Sequence, residues 1–355
     1  MSSVSVVIPC YAYGRFLEDA VASVLEDQPG VDVRVLVIDD ASPDDSAEVA
    51  ARIAARDPRV EVRLHRENKG NIATFNEGLM EWADGDYCTL LSADDLAAPG
   101  SLRRACDLLD AHPEVGFVYG RAAWFTDGVP TPPARTHLRG ESVIRGREWL
   151  EHRFRQGENQ LTTPEVVVRT SLQHRLGGYD PNLPKAADME LFMRFAAHAD
   201  VGFLRGVDQA LHRRHGTNMS TGVDPLADLV QRRAVFEQVL ERYGHRLSGV
   251  RNLSTTVHRQ LAREALWTAG REYDRGALTR TAAGRVLLRS TGTGTAEERT
   301  ELLAFAADCW PEVKRFPLYR TLEGGHRLGA RDIAFMVRER GRWWARRRAW
   351  THRGY

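Results

Sequence analysis

VSVVIPCYAYGRFLEDAVASVLEDQ, residues 4–28, begins as a β-branched run and continues with apolar residues at helical spacing. This pattern predicts a strand over 4–9 followed by a helix. Further strands are predicted over 33–39, 60–65, 86–92 and 115–120. Helices are predicted over 15–27, 44–56, 71–83 and 100–111. Near-continuous apolar strands that alternate with helices indicate an α/β fold, with a mostly parallel sheet and helices on both faces.

Pairs of aspartates follow two of these strands. Asp39 and Asp40 end the second strand, and Asp94 and Asp95 follow the fourth. Because open sheets of this kind bind ligands at the carboxyl ends of their strands, both pairs are candidate site residues. A third pair, Asp44 and Asp45, is predicted to lie in the first turn of a helix and to complement its dipole.

Two common nucleotide-binding motifs are absent. The first strand runs into PCYAYGRFL, which has a single glycine instead of G-x-G-x-x-G, and nothing matches G-x-x-x-x-G-K followed by Ser or Thr. Carboxylates that face a phosphorylated ligand would repel it unless a divalent cation lay between them. The paired acids therefore suggest a nucleotide bridged by Mg²⁺ or Mn²⁺, cations that prefer hard oxygen donors.

The composition is that of an ordinary globular protein. The chain has 355 residues, 43% hydrophobic and 27% charged, with a formal net charge of +1. No apolar run approaches the roughly 18 residues of a membrane span, and the first residues, MSSVSVVIPCY, do not resemble a secretory leader. Four widely spaced cysteines suggest buried thiols instead of disulfides or a zinc site. We expect a cytoplasmic protein.

Five segments occur in the order and spacing of one known family: VSVVIPCYAYGRFLEDAVASVLEDQ, VLVIDDASPDDS, ENKGNIATFNEGL, GDYCTLLSADD and GGYDPNLPKAADMELFMRFA. Over about residues 3–220 the chain resembles the family 2 glycosyltransferases, inverting nucleotide-sugar enzymes of GT-A fold. The resemblance implies a catalytic domain over 1–222 that binds a nucleotide sugar and an acceptor.

The resemblance also implies roles for single residues. Those implied to contact the nucleotide are Pro9, Tyr11, Asp39, Asn68, Gly70, Asn71 and Asp94. Asp39 resembles the group that accepts from the base imide, Asp40 the residue that braces the loop, and 68–71 the loop that closes over the nucleotide.

By the same resemblance, Asp95 binds the cation directly, Asp94 contacts ribose or shares the metal, and His215 is a third ligand. Arg213 or Arg214 would offset phosphate charge, whereas His212 is given no role. Many relatives carry an acid at the position of Ser92, so the ligand set is smaller here.

An inverting transfer needs a base for the acceptor proton. In AADMELFMR the residue that matches the family's catalytic aspartate is Asp188, while Ala187 stands in the position of a glutamate. Glu190 is the alternative base, and Asp188 can also cap the helix predicted over 188–199. Tyr179, in the turn after Gly177 and Gly178, either stacks on a sugar or packs in the core.

The resulting hypothesis is a metal-dependent inverting glycosyltransferase that moves a sugar from a UDP- or dTDP-sugar to a small-molecule, glycan or lipid-linked acceptor hydroxyl. The processive signature Gln-x-x-Arg-Trp is absent, which favours one sugar per encounter. The alternative is a non-catalytic nucleotide-sugar or carbohydrate binding protein of the same fold, which the Ser92 and Ala187 departures motivate. A nucleotidyltransferase fits poorly because PCYAYGR is not glycine-rich.

Residues 223–355 predict a helical C-terminal region, a dimer or acceptor platform, with a break at STGTGT. Its tail, 331–355, holds eight arginines and three tryptophans against two acids. Such a segment either binds anionic lipid at the inner membrane face or packs its tryptophans on preceding helices. Nucleic-acid binding is not expected, because the whole chain is nearly neutral.

Overall fold

A computed structural model describes residues 1–218, 222, 224–273, 295–326 and 328–354. Its strands are β1 (Ser3–Cys10), β2 (Asp32–Asp39), β3 (Val60–Leu64), β4 (Tyr87–Leu90), β5 (Leu96–Ala97), β6 (Val115–Thr126), β7 (Gly140–Ile144), β8 (Val166–Arg169) and β9 (Asp200–Arg214). Its helices are α1 (Gly14–Leu25), α2 (Ser46–Arg56), α3 (Asn71–Asn76), α4 (Ser101–Ala111), α5 (Gly146–Gln156), α6 (Thr170–Leu176), α7 (Ala187–Ala196), α8 (Pro225–Tyr243), α9 (Val250–Tyr273), α10 (Ala296–Cys309), α11 (Pro317–Glu323) and α12 (Ala330–Arg353).

The chain forms two compact units. One comprises 1–150, 160–221 and 351–355, and the other comprises 151–159 and 222–350.

The first unit is built on one mixed sheet. The strand order is β3-β2-β1-β4-β8-β6-β9-β5, and β7 pairs with β9. β1 to β4 are parallel, β6 and β9 are parallel to each other, and β8, β5 and β7 run antiparallel to their neighbours. The predicted α/β fold with a mostly parallel sheet is therefore confirmed.

The apolar strands bury their side chains against the flanking helices. In β1, Val4, Val6 and Ile8 are at most 1% exposed, and they share one core cluster with Leu17 and Val21 of α1. Because successive side chains of a strand point to opposite faces of the sheet, every second β1 residue lies in this cluster. Packing on both sides of the sheet fixes its carboxyl edge, where β1, β2 and β4 end beside one another.

The helix predicted over 71–83 is divided in two. α3 ends at Asn76, and Glu77–Trp82 continues as a π-helical turn. Within that turn a Cβ on Gly78 would stand 2.3 Å from Cγ1 of Val7 in β1, so only glycine permits this approach to the sheet.

The second unit is helical in its described residues. In this unit α9 packs against α8, α10 and α11. Arg232 of α8 is buried and bonds Glu264 of α9 at 2.8 Å. The helix that the sequence predicts over 277–289 and the break that follows it lie outside the described residues, apart from Thr295.

The basic tail forms helix α12, in which the tryptophans differ in exposure. Trp350 is 7% exposed and lies under the Arg153 guanidinium, 4.3 Å from the ring centroid. Trp344 is 56% exposed and contacts Trp343 edge to face. Of the helices that the structure describes, none is long and apolar enough to cross a membrane.

Candidate active site

The loops after β1 and β2 are strained where they approach each other. Ala12 and Ala41 adopt φ of 60° and 57°, and they alone among the described non-glycine residues have positive φ. The Ala12 N–H donates to Oγ of Ser42 at 3.0 Å, which joins the two loops. Left-handed backbone at alanine costs energy, so its occurrence at both strand ends marks this edge as a candidate site.

Asp39, at the end of β2, is buried at 3% exposure. Its Oδ2 accepts from the Ser42 N–H at 3.2 Å, whereas its Oδ1 has no hydrogen-bond partner within the described part of the chain. A buried acceptor without a donor is costly unless a ligand satisfies it. In the loop directly after β1, Tyr11 is 49% exposed.

Asp40 holds the 68–71 loop. Its carboxylate accepts the backbone N–H groups of Lys69 and Gly70 at 2.8 and 2.9 Å, and it contacts Nδ1 of His65 at 2.6 Å. Burial alone would raise the pKa of Asp40, but these hydrogen bonds outweigh it and lower the pKa. Gly70 has φ of 85°, and Oδ1 of Asn68 also accepts its N–H at 3.0 Å. Asn71 then begins α3.

The carboxylates of Asp94 and Asp95 point to different partners. Oδ2 of Asp94 lies 3.0 Å from Nε2 of His215 and accepts from Nδ2 of Asn218 at 2.9 Å. Both oxygens of Asp95 are already bound, Oδ2 by Nδ1 of His212 at 2.9 Å and Oδ1 by the Arg213 N–H at 3.0 Å. Burial, followed by the charge of Asp95, raises the pKa of Asp94.

His212, to which the sequence analysis gave no role, is a central contact of this region. Its Nε2 lies 2.6 Å from Oγ1 of Thr162 and 3.4 Å from Glu165. Burial lowers the His212 pKa, but the bonds to Asp95 and Glu165 outweigh that effect and raise it to about 10, which favours the protonated ring. The HRRH segment signalled a histidine pair, and only the fold assigns one histidine to each aspartate.

Arg213 is a structural clamp. Its Nε donates to the Asp94 carbonyl at 3.0 Å, and its other nitrogens pair with Asp19 and Asp127 at 3.2 and 3.4 Å. The guanidinium also lies over Phe16, 4.5 Å from the centroid. These ion pairs offset the positive charge of Arg213, so its side chain is poorly placed for the predicted phosphate role.

His215 is held by side chains at and just before the start of α1 and by its own loop. Its Nδ1 contacts Oγ1 of Thr217 at 2.9 Å, and its ring packs against Tyr13 and Phe16. The fixed ring directs Nε2 toward Asp94. Within the described residues no group of three or more His, Cys, Asp or Glu side chains is arranged to hold a metal. The structure therefore joins two of the three predicted ligands, Asp94 and His215, and ties Asp95 elsewhere.

The two candidate bases lie in the first turn of α7. Asp188 is partly exposed, and its Oδ1 accepts the Met189 N–H at 2.7 Å. Glu190 is buried and pairs with Arg194 at 2.8 Å, and Arg194 also donates to the carbonyls of Gly177 and Gly178. Glu190 is thus part of the scaffold.

Tyr179 packs instead of presenting a sugar platform. It is 4% exposed and contacts Phe75 edge to face at 5.5 Å. Burial raises the pKa of its hydroxyl, which bonds to the Thr163 side chain and also experiences the charge of Asp188. The core-packing alternative is the one observed.

A mostly parallel sheet with carboxylates at its carboxyl edge and a helical region after it defines a protein of the GT-A fold class. The solved structure of S. aureus TarS 1–349 in complex with UDP-GlcNAc is similar, with a TM-score of 0.61 at 17% identity, over 96% of this chain and 92% of that one. The mannosyltransferase PcManGT from Pyrobaculum calidifontis, in complex with GDP-Man and Mn²⁺, has a TM-score of 0.51 at 17% identity, over 94% and 84%.

The family model for glycosyl transferase family 2 matches residues 5–172, so this segment of the chain carries the sequence pattern of that family. Glycosyltransferase GlyG of Streptococcus pneumoniae is 36% identical over 93 residues, 26% of this chain and 30% of that protein. Chondroitin synthase of Pasteurella multocida is 24% identical over 224 residues, 61% of this chain and 21% of that protein. The chain thus matches about a third or less of the length of these relatives.

Proposed function

We propose that this protein transfers one sugar from a nucleoside diphosphate donor to an acceptor hydroxyl, with inversion and with a divalent cation. The family match and the fold support glycosyl transfer. The similar structures bound to UDP-GlcNAc, and to GDP-Man with Mn²⁺, support a nucleotide-sugar donor and a metal.

The observation that carries the proposal is the contact between Asp94 and His215. Neighbouring ligands of an octahedral ion lie about 3 Å apart when each is about 2.1 Å from it, and Oδ2 and Nε2 are 3.0 Å apart. Mg²⁺ commonly takes one or two protein ligands and completes its shell with water and substrate phosphates, so two side chains suffice. When bound, the cation would neutralise charge on the departing diphosphate.

These contacts lead us to propose Asp94 as the carboxylate that holds the cation, a role that the sequence analysis gave first to Asp95. Asp94 with His215 would hold the cation, whereas Asp95 would position β9 through His212 and the Arg213 backbone. The hydrogen bonds to Asp95 occupy both of its oxygens.

The unpartnered Oδ1 of Asp39 supports a uracil or thymine base. The imide N–H of either base is a donor that this buried carboxylate oxygen lacks within the described chain. Tyr11, half-exposed beside it, and the loop held by Asp40 would complete the nucleoside site.

Asp188 is the proposed base. As the acceptor oxygen bonds to the anomeric carbon, the bond from that carbon to the diphosphate oxygen breaks, and the acceptor proton passes to Asp188. Glu190 cannot serve in this way without breaking its buried pair with Arg194.

Release of nucleoside diphosphate from a panel of nucleotide sugars tests the proposal, with and without Mn²⁺. We expect release from a uridine or thymidine donor that requires the cation and is lost in Asp188→Asn. Donor binding without release, in the presence of every acceptor class tried, would favour the non-catalytic binding protein instead.

We also propose that α12 contacts an anionic membrane surface. Val337, Trp344 and Arg347 are exposed and follow one another at helical spacing, which presents an apolar and basic face. Co-sedimentation with phosphatidylglycerol vesicles, but not with phosphatidylcholine vesicles, is expected, and it should weaken in Trp344→Ala. Equal recovery with both vesicles would refute the proposal. Homodimerisation stays a prediction.

A further inference from the structure

An exposed tryptophan lies beside the paired aspartates. β6 and β9 are parallel neighbours in which Trp124 aligns with His212 and Phe125 aligns with Arg213. Because side chains alternate along strands, Phe125 and Arg213 share the buried face, and Trp124 and His212 share the other. The Trp124 ring stacks on His212, with centroids 4.6 Å apart and planes at 24°, yet the residue is 42% exposed.

An arginine accompanies this ring. The Arg214 guanidinium lies over Trp124, 4.5 Å from its centroid. Arg214 is exposed and forms no ion pair with any acidic side chain in the part of the chain that the structure describes. Its neighbour Arg213, by contrast, is paired with two aspartates. Arg214 therefore has a positive charge available for a ligand.

Contacts connect this pair to both halves of the proposed site. On one side His212 bonds Asp95, which is adjacent to Asp94. On the other side His212 bonds Thr162, and the next residue, Thr163, bonds the Tyr179 hydroxyl, which experiences the charge of Asp188. Trp124 is thus linked through His212 to Asp95, next to the proposed metal ligand, and through Thr162 and Thr163 to Tyr179, which experiences the charge of the proposed base. Because an acceptor must lie between the cation and the base, these links make Trp124 a candidate acceptor contact.

We propose that Trp124 and Arg214 form an acceptor subsite for a sugar ring that carries a negative charge. The C–H groups of a pyranose would pack against the part of Trp124 that stays exposed beside His212 and the Arg214 guanidinium. The guanidinium would pair with a carboxylate or phosphate on that sugar. This inference rests on the proposed function and names the substrate class of the same site.

The test uses the full chain with UDP and Mn²⁺ present, and two matched probes: methyl β-glucuronide and methyl β-glucoside. Saturation-transfer NMR should detect binding of both, with the glucuronide bound about tenfold more tightly because of its carboxylate. Absence of binding by both sugars overturns the subsite, and equal binding overturns its charge preference.

Variants assign the contacts. Trp124→Ala should weaken both probes by about tenfold, whereas Trp124→Tyr should retain most of the binding. Arg214→Gln should remove only the preference for glucuronide. Trp344→Ala, a matched loss of an exposed tryptophan in the helical unit, should change neither. Unchanged binding in Trp124→Ala refutes the inference.

Donor turnover separates this inference from the proposed function. If the wild type never releases nucleoside diphosphate, the proposed function fails. If it does and Trp124→Ala uses acceptor sugars as well as the wild type, only the subsite fails.

Discussion

Nε2 of His215 lies 3.0 Å from Oδ2 of Asp94, although 121 positions separate the two residues in the chain. Both side chains are less than 10% exposed. The contact depends on the turn after β9, where the Asn218 side chain accepts the His215 N–H and donates to Asp94. The end of β9 therefore completes a site that β4 begins.

Removing either member of this pair should abolish the response to metal. In Asp94→Asn and His215→Ala we expect release of nucleoside diphosphate to fall by about 100-fold or more, because the charge on the leaving group is no longer offset. Titration with Mn²⁺ after EDTA treatment measures the effect. Asp45→Asn, an exposed acid in the 44–45 pair, should behave as the wild type. Full activity of His215→Ala in EDTA would contradict the assignment.

Asp39→Asn should weaken nucleotide binding without unfolding the protein. The amide oxygen can still accept from the Ser42 N–H, but the charged acceptor offered to the base is lost. We expect affinity for UDP to fall by about 10- to 100-fold, as for a hydrogen bond to a charged group. Calorimetric titration with UDP measures this, with the unliganded Tm as the control. An unchanged Kd would show that the base binds elsewhere.

Asp40→Asn should reduce stability in a way that depends on pH. The pKa of Asp40 is lowered in the folded protein, so its contribution is present above the unfolded value of about 3.8 and is lost as pH falls through the folded pKa. At pH 7 the variant should lose about 1–3 kcal/mol in the free energy of unfolding.

Urea unfolding from pH 7 to pH 3 measures the difference between wild type and Asp40→Asn, which should narrow below pH 3.8. Asp84→Asn, which breaks only a surface pair with Arg34, should cost less than about 1 kcal/mol at any pH. A difference that stays constant across the range would exclude ionised Asp40 as the cause.

Substitutions of the two acids of α7 should differ in their effects on activity and stability. Asp188→Asn should abolish transfer while the free energy of unfolding changes little. Glu190→Gln should cost about 3–5 kcal/mol of stability, because Arg194 is left as a buried, uncompensated charge. Urea unfolding and the release of nucleoside diphosphate, measured on the same preparations, distinguish the two variants. A stable Glu190→Gln without activity would return Glu190 to the role of base.

The sequence predicts the sheet well where local pattern determines it. β1 and β2 occur within one residue of their predicted bounds, since their apolar runs are buried on both faces. β5 and β8 were not predicted, because two to four residues carry too little periodicity and pair only with distant strands. The π-helical turn after α3 likewise leaves the apolar pattern unchanged.

For the site, residue types and strand ends were enough to single out Asp39 and Asp94 as candidates, whereas His215 was implied only by the family resemblance. Residue types and strand ends could not predict which side chains these residues contact. Which histidine faces which aspartate depends on the register between β9 and β5, and the packing of Tyr179 on Phe75 depends on a contact across about a hundred residues. Trp124 was also not predicted as a site residue, because an aromatic residue in an apolar strand gives no sign of its exposure.

The late position of β9 has a consequence for biosynthesis. Asp95 leaves the ribosome 118 residues before the Arg213 amide that binds it, a delay on the order of 10 s at ordinary translation rates. Until then the edge of β6 that pairs with β9 has no partner. A fragment that ends at residue 172, where the family match ends, would lack β9 and so could not complete this site. The segment that the family model matches is therefore not expected to form the site by itself.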